Sequence, residues 1–231
     1  MPLSLRLLCQ LRPPQRIIIA LLSLCCALYA GRPLNTDDAR VVPQRNCQID
    51  SWFQYNQGLG NEMWLAPACN LFYDTEISLA GDLGRDDKSL QFQIKKLFNN
   101  ADKDGWGIGV ALGNLYSRIV RQSPTDDVFF HIPATIGFFD NTLIMHLNLG
   151  YNVERDTGPI WTSNVAAELN VGDFDLVGEV YYVKDTPLVY QVGLVYGLND
   201  NLSFNTFIGN SFKNDALFAG AGLTLVWEVL N

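Results

Sequence analysis

The sequence lacks an apolar run long enough to cross a bilayer as a helix. Its longest, Ile17 to Ala30, has 14 residues, against roughly 20 for a spanning helix, which excludes an α-helical membrane protein. Basic residues are also scarce: 16 Lys and Arg face 24 Asp and Glu, a balance that argues against a nucleic-acid partner. Only two histidines are present, without a His-x-x-x-His spacing, and no serine stands in a Gly-x-Ser-x-Gly elbow. Neither a metal site nor a serine-hydrolase site is expected, and no other cofactor. Gly105-Trp106-Gly107-Ile108-Gly109 is glycine-rich, but no helical pattern follows to complete a phosphate loop.

The short apolar run reads as an export signal. Arg6, Arg12 and Arg16 precede it, and small residues at Ala27 or Ala30 offer the cleavage point. A lipid-attachment alternative in Leu22-Ser23-Leu24-Cys25 is disfavoured by the bulk of Leu24. Residues 1–30 are then the signal peptide, 31–46 a periplasmic N-terminal segment, and 47–231 the folded body. Loss of the signal removes three basic residues and leaves 13 against 24 acidic ones, a net charge of −11.

Cys9, Cys25 and Cys26 leave with the signal, so Cys47 and Cys69 remain, an even number in an exported chain. If a turn at Gln57-Gly58-Leu59 joins two antiparallel strands, facing residues have numbers summing to 116, as 47 and 69 do. A disulfide across that hairpin is expected. Zinc is the competing reading, and two thiols without a nearby histidine make a poor site for it.

Beyond Arg45 no helical period is sustained, and segments of ten to fourteen residues alternate at period two. Strands are expected at 47–56, 61–72, 75–84, 88–98, 105–116 and 127–139, and at 142–153, 160–171, 174–184, 187–198, 201–211 and 216–229. Leu143, Met145, Leu147, Leu149 and Tyr151 share one face, whereas His146 and Asn148 share the other with Ile144 and Gly150. Trp161, Val165 and Leu169 oppose Asn164, Glu168 and Asn170 in the same way, and Trp106, Ile108, Val110 and Leu112 alternate with small residues. Such lengths suit spanning strands, which need about 9 to 11 residues. Aromatics at strand ends (Tyr116, Phe138, Trp161, Phe174, Trp227) suit interfacial girdles. The expected fold is a single antiparallel transmembrane β-barrel of about 12 strands in the bacterial outer membrane, with lipids and the barrel-assembly machinery as partners. A soluble periplasmic β-domain is the alternative.

Tight turns are expected at Tyr73-Asp74, Asn100-Ala101-Asp102, Asp140-Asn141, Gly172-Asp173 and Asn199-Asp200, on the periplasmic rim. Charged or longer loops at 85–88, 118–127, 154–159 and 184–186 fall on the other. Pro133 lies mid-strand, where a bulge or kink is expected. Alternation sends one of Lys95 and Lys96 outward, to snorkel at a rim.

Arg32-Pro33-Leu34-Asn35-Thr36-Asp37-Asp38-Ala39, followed by Cys47-Gln48-Ile49-Asp50-Ser51-Trp52, resembles the start of the outer-membrane barrels named for the phenol-degradation meta-pathway. Gly220-Ala221-Gly222-Leu223-Thr224-Leu225-Val226-Trp227 is similar to the closing assembly signal of such barrels, although here the chain continues to Asn231. The resemblance implies an uptake-associated channel of Gram-negative bacteria for small, sometimes aromatic, compounds, and brings no catalytic residue.

On the expected lumen face lie Glu76, Asp82, Glu168, Asp175, Glu179 and Glu228, with Lys95, His131 and His146. Fixed carboxylates in a narrow bore attract cations and repel anions, so one reading is a channel for passive uptake of small solutes. The other is a closed barrel with a structural or surface-interaction role, its polar side chains bonded to one another in a plug. Twelve strands lie between the filled interiors of eight and the aqueous channels of 16 to 18.

Overall fold

A computed structural model describes residues 34–58, 60–83, 87–119, 125–154, 158–213 and 216–229. Twelve antiparallel strands close into a barrel, each paired with its chain neighbours and β1 with β12. They are β1 (Asn46–Asn56), β2 (Gly60–Phe72), β3 (Thr75–Asp82), β4 (Asp87–Asn99), β5 (Trp106–Ile119) and β6 (Thr125–Phe138). The second half comprises β7 (Leu143–Glu154), β8 (Gly158–Val171), β9 (Phe174–Val183), β10 (Val189–Asn199), β11 (Leu202–Ser211) and β12 (Phe218–Glu228).

The faces are those of a membrane barrel. The most completely buried large side chains include Lys95, His146, Asn70 and Asn205. The exposed ones include Leu112, Leu149, Trp161, Leu176, Val192 and Ile208. In water such an arrangement would leave an apolar belt unburied and carry the hydrophobic effect with the wrong sign; lipid reverses that sign. Aromatic girdles mark both edges of the belt, with Phe72, Trp106, Phe139 and Trp227 near one rim and Tyr116, Trp161, Tyr190 and Phe212 near the other. Lys95 points inward, whereas Lys96 turns outward and donates to the Tyr73 carbonyl at the rim.

One rim holds both ends of the described barrel and the tight turns. Tyr73 and Asp74 (φ 45° and 50°), Phe139 to Asn141 (φ 53° to 62°) and Gly172 (φ 69°) take the left-handed conformations that close hairpins. The expected hairpin turn at Asn100 is instead a one-turn helix, α1 (Ala101–Asp104), capped by the Asn100 side chain and closed by Gly105 at φ 74°. On the loop rim, the centres of the expected charged loops at 84–86, 120–124 and 155–157 lie outside the described residues, as do the signal peptide and its cleavage points.

Cys47 faces Cys69 in the β1–β2 register, with Cα atoms 4.0 Å apart, and the disulfide is formed on the outer face. The bulge expected at Pro133 does not occur. The β5–β6 pairing loses two rungs there, yet Ile108↔Ala134 and Ala111↔His131 keep one register, and the β6–β7 ladder runs through Pro133 unbroken. Pro67 does the same to β2–β3, where Leu65↔Gly81 and Ala68↔Ser78 flank the gap. A proline removes one donor, and continuous pairing on its other side holds the strand in place.

Glycines let the inner wall curve under flattened aromatics. Gly113 pairs with Phe129, Gly209 with Phe218, and Gly220 with Phe207. In each pair the phenyl ring occupies the space a Cβ would need. The rings shield the glycine backbone.

Candidate functional site: the bore and residues 34–42

By its sequence pattern the segment 31–46 is expected ahead of the barrel, on its periplasmic side. Residues 34–42 instead run inside the bore, along its half nearer the tight-turn rim. A segment without regular structure must find partners for its backbone N–H and C=O groups, and inward side chains of five strands supply several of them, while a sixth strand, β8, pairs with the Arg40 side chain.

From β9, Glu179 accepts from the backbone N–H groups of Asn35 (2.8 Å) and Thr36 (2.8 Å) and from the side chains Asn35 Nδ2 (3.2 Å) and Thr36 Oγ1 (2.6 Å). From β4, Lys95 Nζ donates to Asp37 Oδ1 at 2.8 Å and Gln93 Nε2 to Asp37 Oδ2 at 3.1 Å; His131 Nε2 on β6 lies 3.1 Å from the same oxygen. Lys95, 1% exposed, also stands 3.5 Å from Asp38 and 3.7 Å from Glu76. Three carboxylates around one ammonium replace the water it has lost.

Ala39 N donates to Thr135 Oγ1 at 2.8 Å, and Ala101 N of α1 donates to Ala39 O at 3.2 Å. Arg40 Nη2 donates to Glu168 Oε1 at 2.7 Å, while Arg40 Nε donates to Asp38 at 3.0 Å. Burial works against the Arg40 charge, but Asp38 and Glu168 outweigh it and hold the guanidinium firmly protonated. Val42 N donates to Glu76 Oε2 at 2.9 Å and Val42 O accepts from Asn70 Nδ2 at 2.8 Å. Ala39, Val41 and Leu97 add a small apolar contact. Gly107 on β5 lies so close under Ala39 that a Cβ would meet its carbonyl oxygen at 2.6 Å.

Thr135 Oγ1, His146 and Glu168 stand in a row, with Oγ1 2.9 Å from Nδ1 and Nε2 3.1 Å from the carboxylate. This resembles a nucleophile, base and orienting acid. Thr135 and His146 are 3% and 1% exposed, however, and Oγ1 already accepts from Ala39 N. The row therefore holds the segment and offers no face to a substrate.

Six of the nine expected lumen residues, Glu76, Lys95, His131, His146, Glu168 and Glu179, thus gather around the segment, His146 through Thr135 and Glu168. Asp82 also faces inward but lies toward the loop rim, where it accepts from Met63 N. Asp175 is half-buried near the turn rim, and Glu228 is exposed at that rim. Asp37, Asp38 and Arg40 were missed as bore residues. Among the described residues no group of His, Cys, Asp or Glu has the arrangement of a metal site.

Two voids flank the segment. The larger, about 470 Å³, is walled by Asp50, Trp52, Glu62, Trp64, Phe129 and His131 among others. The smaller, about 250 Å³, lies between Thr36, Asp38, Arg40 and the β8–β12 wall. Trp52 and Trp64, paired across β1 and β2, stack with centroids 5.4 Å apart and planes 6° from parallel.

Known structures share this architecture. The KdgM porin superposes with a TM-score of 0.65 at 14% identity, covering 77% of this chain and 98% of that one. The COG4313 outer membrane channel from Pseudomonas putida F1 gives 0.62 at 11% identity, over 84% of this chain and 100% of that one. The NanC porin gives 0.57 at 10% identity, over 79% and 100%. At such identities the likeness establishes the outer-membrane barrel fold. No curated protein matches the chain in sequence. The profile of the family described as uncharacterised conserved protein UCP029691 matches residues 18–224. These comparisons do not single out the phenol-degradation barrels that the opening residues resemble.

Proposed function

The chain belongs to the family described as uncharacterised conserved protein UCP029691, and we propose that it is an outer-membrane channel for passive uptake of small solutes. One observation carries the reading: the bore holds two voids beside residues 34–42, and carboxylates and amides make up much of their walls. Of the nine expected lumen residues, those that face the bore set its selectivity through their mostly negative charge. The mechanism is diffusion past fixed charge, and no residue of the bore performs chemistry.

The channel reading is supported by the likeness to porins. One KdgM structure holds disordered oligogalacturonate, a polyanion; the acidic bore here favours cations and neutral molecules. The resemblance to the phenol-degradation barrels extends the reading to aromatic solutes, which the Trp52–Trp64 stack supports. The chain is exported by its signal peptide, cut after Ala27 or Ala30, and inserted by the barrel-assembly machinery with the turn rim in the periplasm of a Gram-negative cell.

Purified, refolded protein in planar bilayers should give small, cation-biased conductance steps. The closed-barrel reading is favoured by the hydrogen bonds that fasten residues 34–42 across the bore, and it predicts no conductance above the bare membrane. Liposome swelling with small sugars separates the two.

A further inference from the structure

The larger cavity combines two features that the passage of inorganic ions does not require. The first is the indole stack. Trp52 and Trp64 point inward from adjacent strands near the loop rim, and their ring faces form a plane of negative potential. The second is Glu62, two residues before Trp64 on the same face of β2. Trp64 Nε1 donates to Glu62 Oε2 at 3.0 Å and Asn56 Nδ2 donates to Oε1 at 2.8 Å. Both donors are neutral, so neither brings a counter-charge to the carboxylate. The Trp64 bond also fixes the electropositive edge of the indole against Glu62, which leaves the ring face for a ligand.

Four carboxylates, Asp37, Asp50, Glu62 and Glu76, line this cavity, and among the described residues no lysine or arginine does. Asp37 and Glu76 lean on Lys95 behind the wall. Glu62 has no such cation beside it among the described residues. At about 470 Å³ the cavity is within the range of small-molecule sites, about 300–1,000 Å³. We infer that it is a binding site for a small organic ammonium ion, which lies on the Trp52–Trp64 stack with Glu62 as its counter-charge. A cation over an indole face gains more than a neutral group does. A metal ion would not use the rings, a neutral aromatic would not use Glu62, and an anion would be repelled.

This assignment rests on the channel reading for access from the loop rim, but its test does not require conduction. Benzyltrimethylammonium and benzyl alcohol are titrated into the refolded full-length barrel in detergent, and binding is followed by calorimetry and tryptophan fluorescence. The ammonium probe should bind at least about tenfold tighter than the alcohol. Glu62→Gln should weaken it about tenfold, Trp64→Leu should abolish the fluorescence response, and Trp52→Phe should retain most of the affinity. Heat-modifiable migration on gels confirms that each variant is folded. Equal affinity for both probes, or unchanged affinity in folded Glu62→Gln, overturns the assignment. A barrel that passes potassium without binding the probe also overturns it and leaves the channel standing; binding without conductance sustains the site and removes the channel.

Discussion

Glu179 is the strongest single tether of residues 34–42, and its replacement by glutamine should loosen that segment measurably. Four donors converge on the carboxylate at 2.6 to 3.2 Å. Glutamine keeps one acceptor oxygen and turns an NH2 group toward donors that need an acceptor, so about two charge-assisted bonds are lost. Each is worth about 1.5–3 kcal/mol. Water in the bore restores part of this, leaving about 2–4 kcal/mol, or roughly a 30- to 1,000-fold shift toward the undocked segment. Lys95, Thr135 and Glu168 still hold the chain further along, so the shift should appear as brief openings. Single-channel recording is the assay: Glu179→Gln should add steps of larger conductance to those of the unmodified barrel. Identical step sizes and open times, with a folded barrel verified on gels, would refute the argument that these bonds narrow the bore.

Gly113→Ala places a methyl group against the Phe129 ring and the Phe92 carbonyl; urea unfolding should show a loss of about 1–3 kcal/mol, and no loss would mean that the ring simply swings away. Replacing Cys47 and Cys69 together by serine reopens a cross-link spanning 22 residues and should cost about 3 kcal/mol by the chain-entropy estimate, read as a lower unfolding midpoint under non-reducing conditions. Asp74, in the β2–β3 turn, is held below the usual carboxylate range, chiefly by the hydrogen bond from Lys103. A lowered folded-state pKa means that its contribution is present above the unfolded pKa and disappears as pH falls through the folded one. Because the pair is largely exposed, Asp74→Asn should flatten the acid limb of the stability curve by less than about 1 kcal/mol, and an alkaline effect instead would contradict the sign.

The strand order and the Cys47–Cys69 pairing were legible because each follows from local arithmetic, and the inward face because strand length and the aromatics at strand ends point to a membrane. Alternation fixes which side chains share a face, and a single hairpin turn fixes the sum 116. Residues 34–42 were not legible as an occupant of the bore. They have no period, and their partners lie 28 to 144 positions away, so only closure of the barrel brings Glu179 to Asn35 and Lys95 to Asp37. One signal was available: Asp37, Asp38 and Arg40 carry charges that complement Lys95 and Glu168 on the inner face. Pro133 misled for a related reason. A missing donor suggests a bulge within one strand, but pairing with β7 on the other side enforces the register. Trp52 and Trp64 were legible as cross-strand partners by the same sum that pairs the cysteines.

The sign of the bore's charge preference tests the account most directly. With unequal KCl concentrations across a planar bilayer containing the refolded barrel, the reversal potential should move toward that of potassium, and less far once Glu179→Gln removes a fixed negative charge and opens the bore. A reversal potential on the chloride side, or silence from both proteins, would contradict an acidic channel for small solutes.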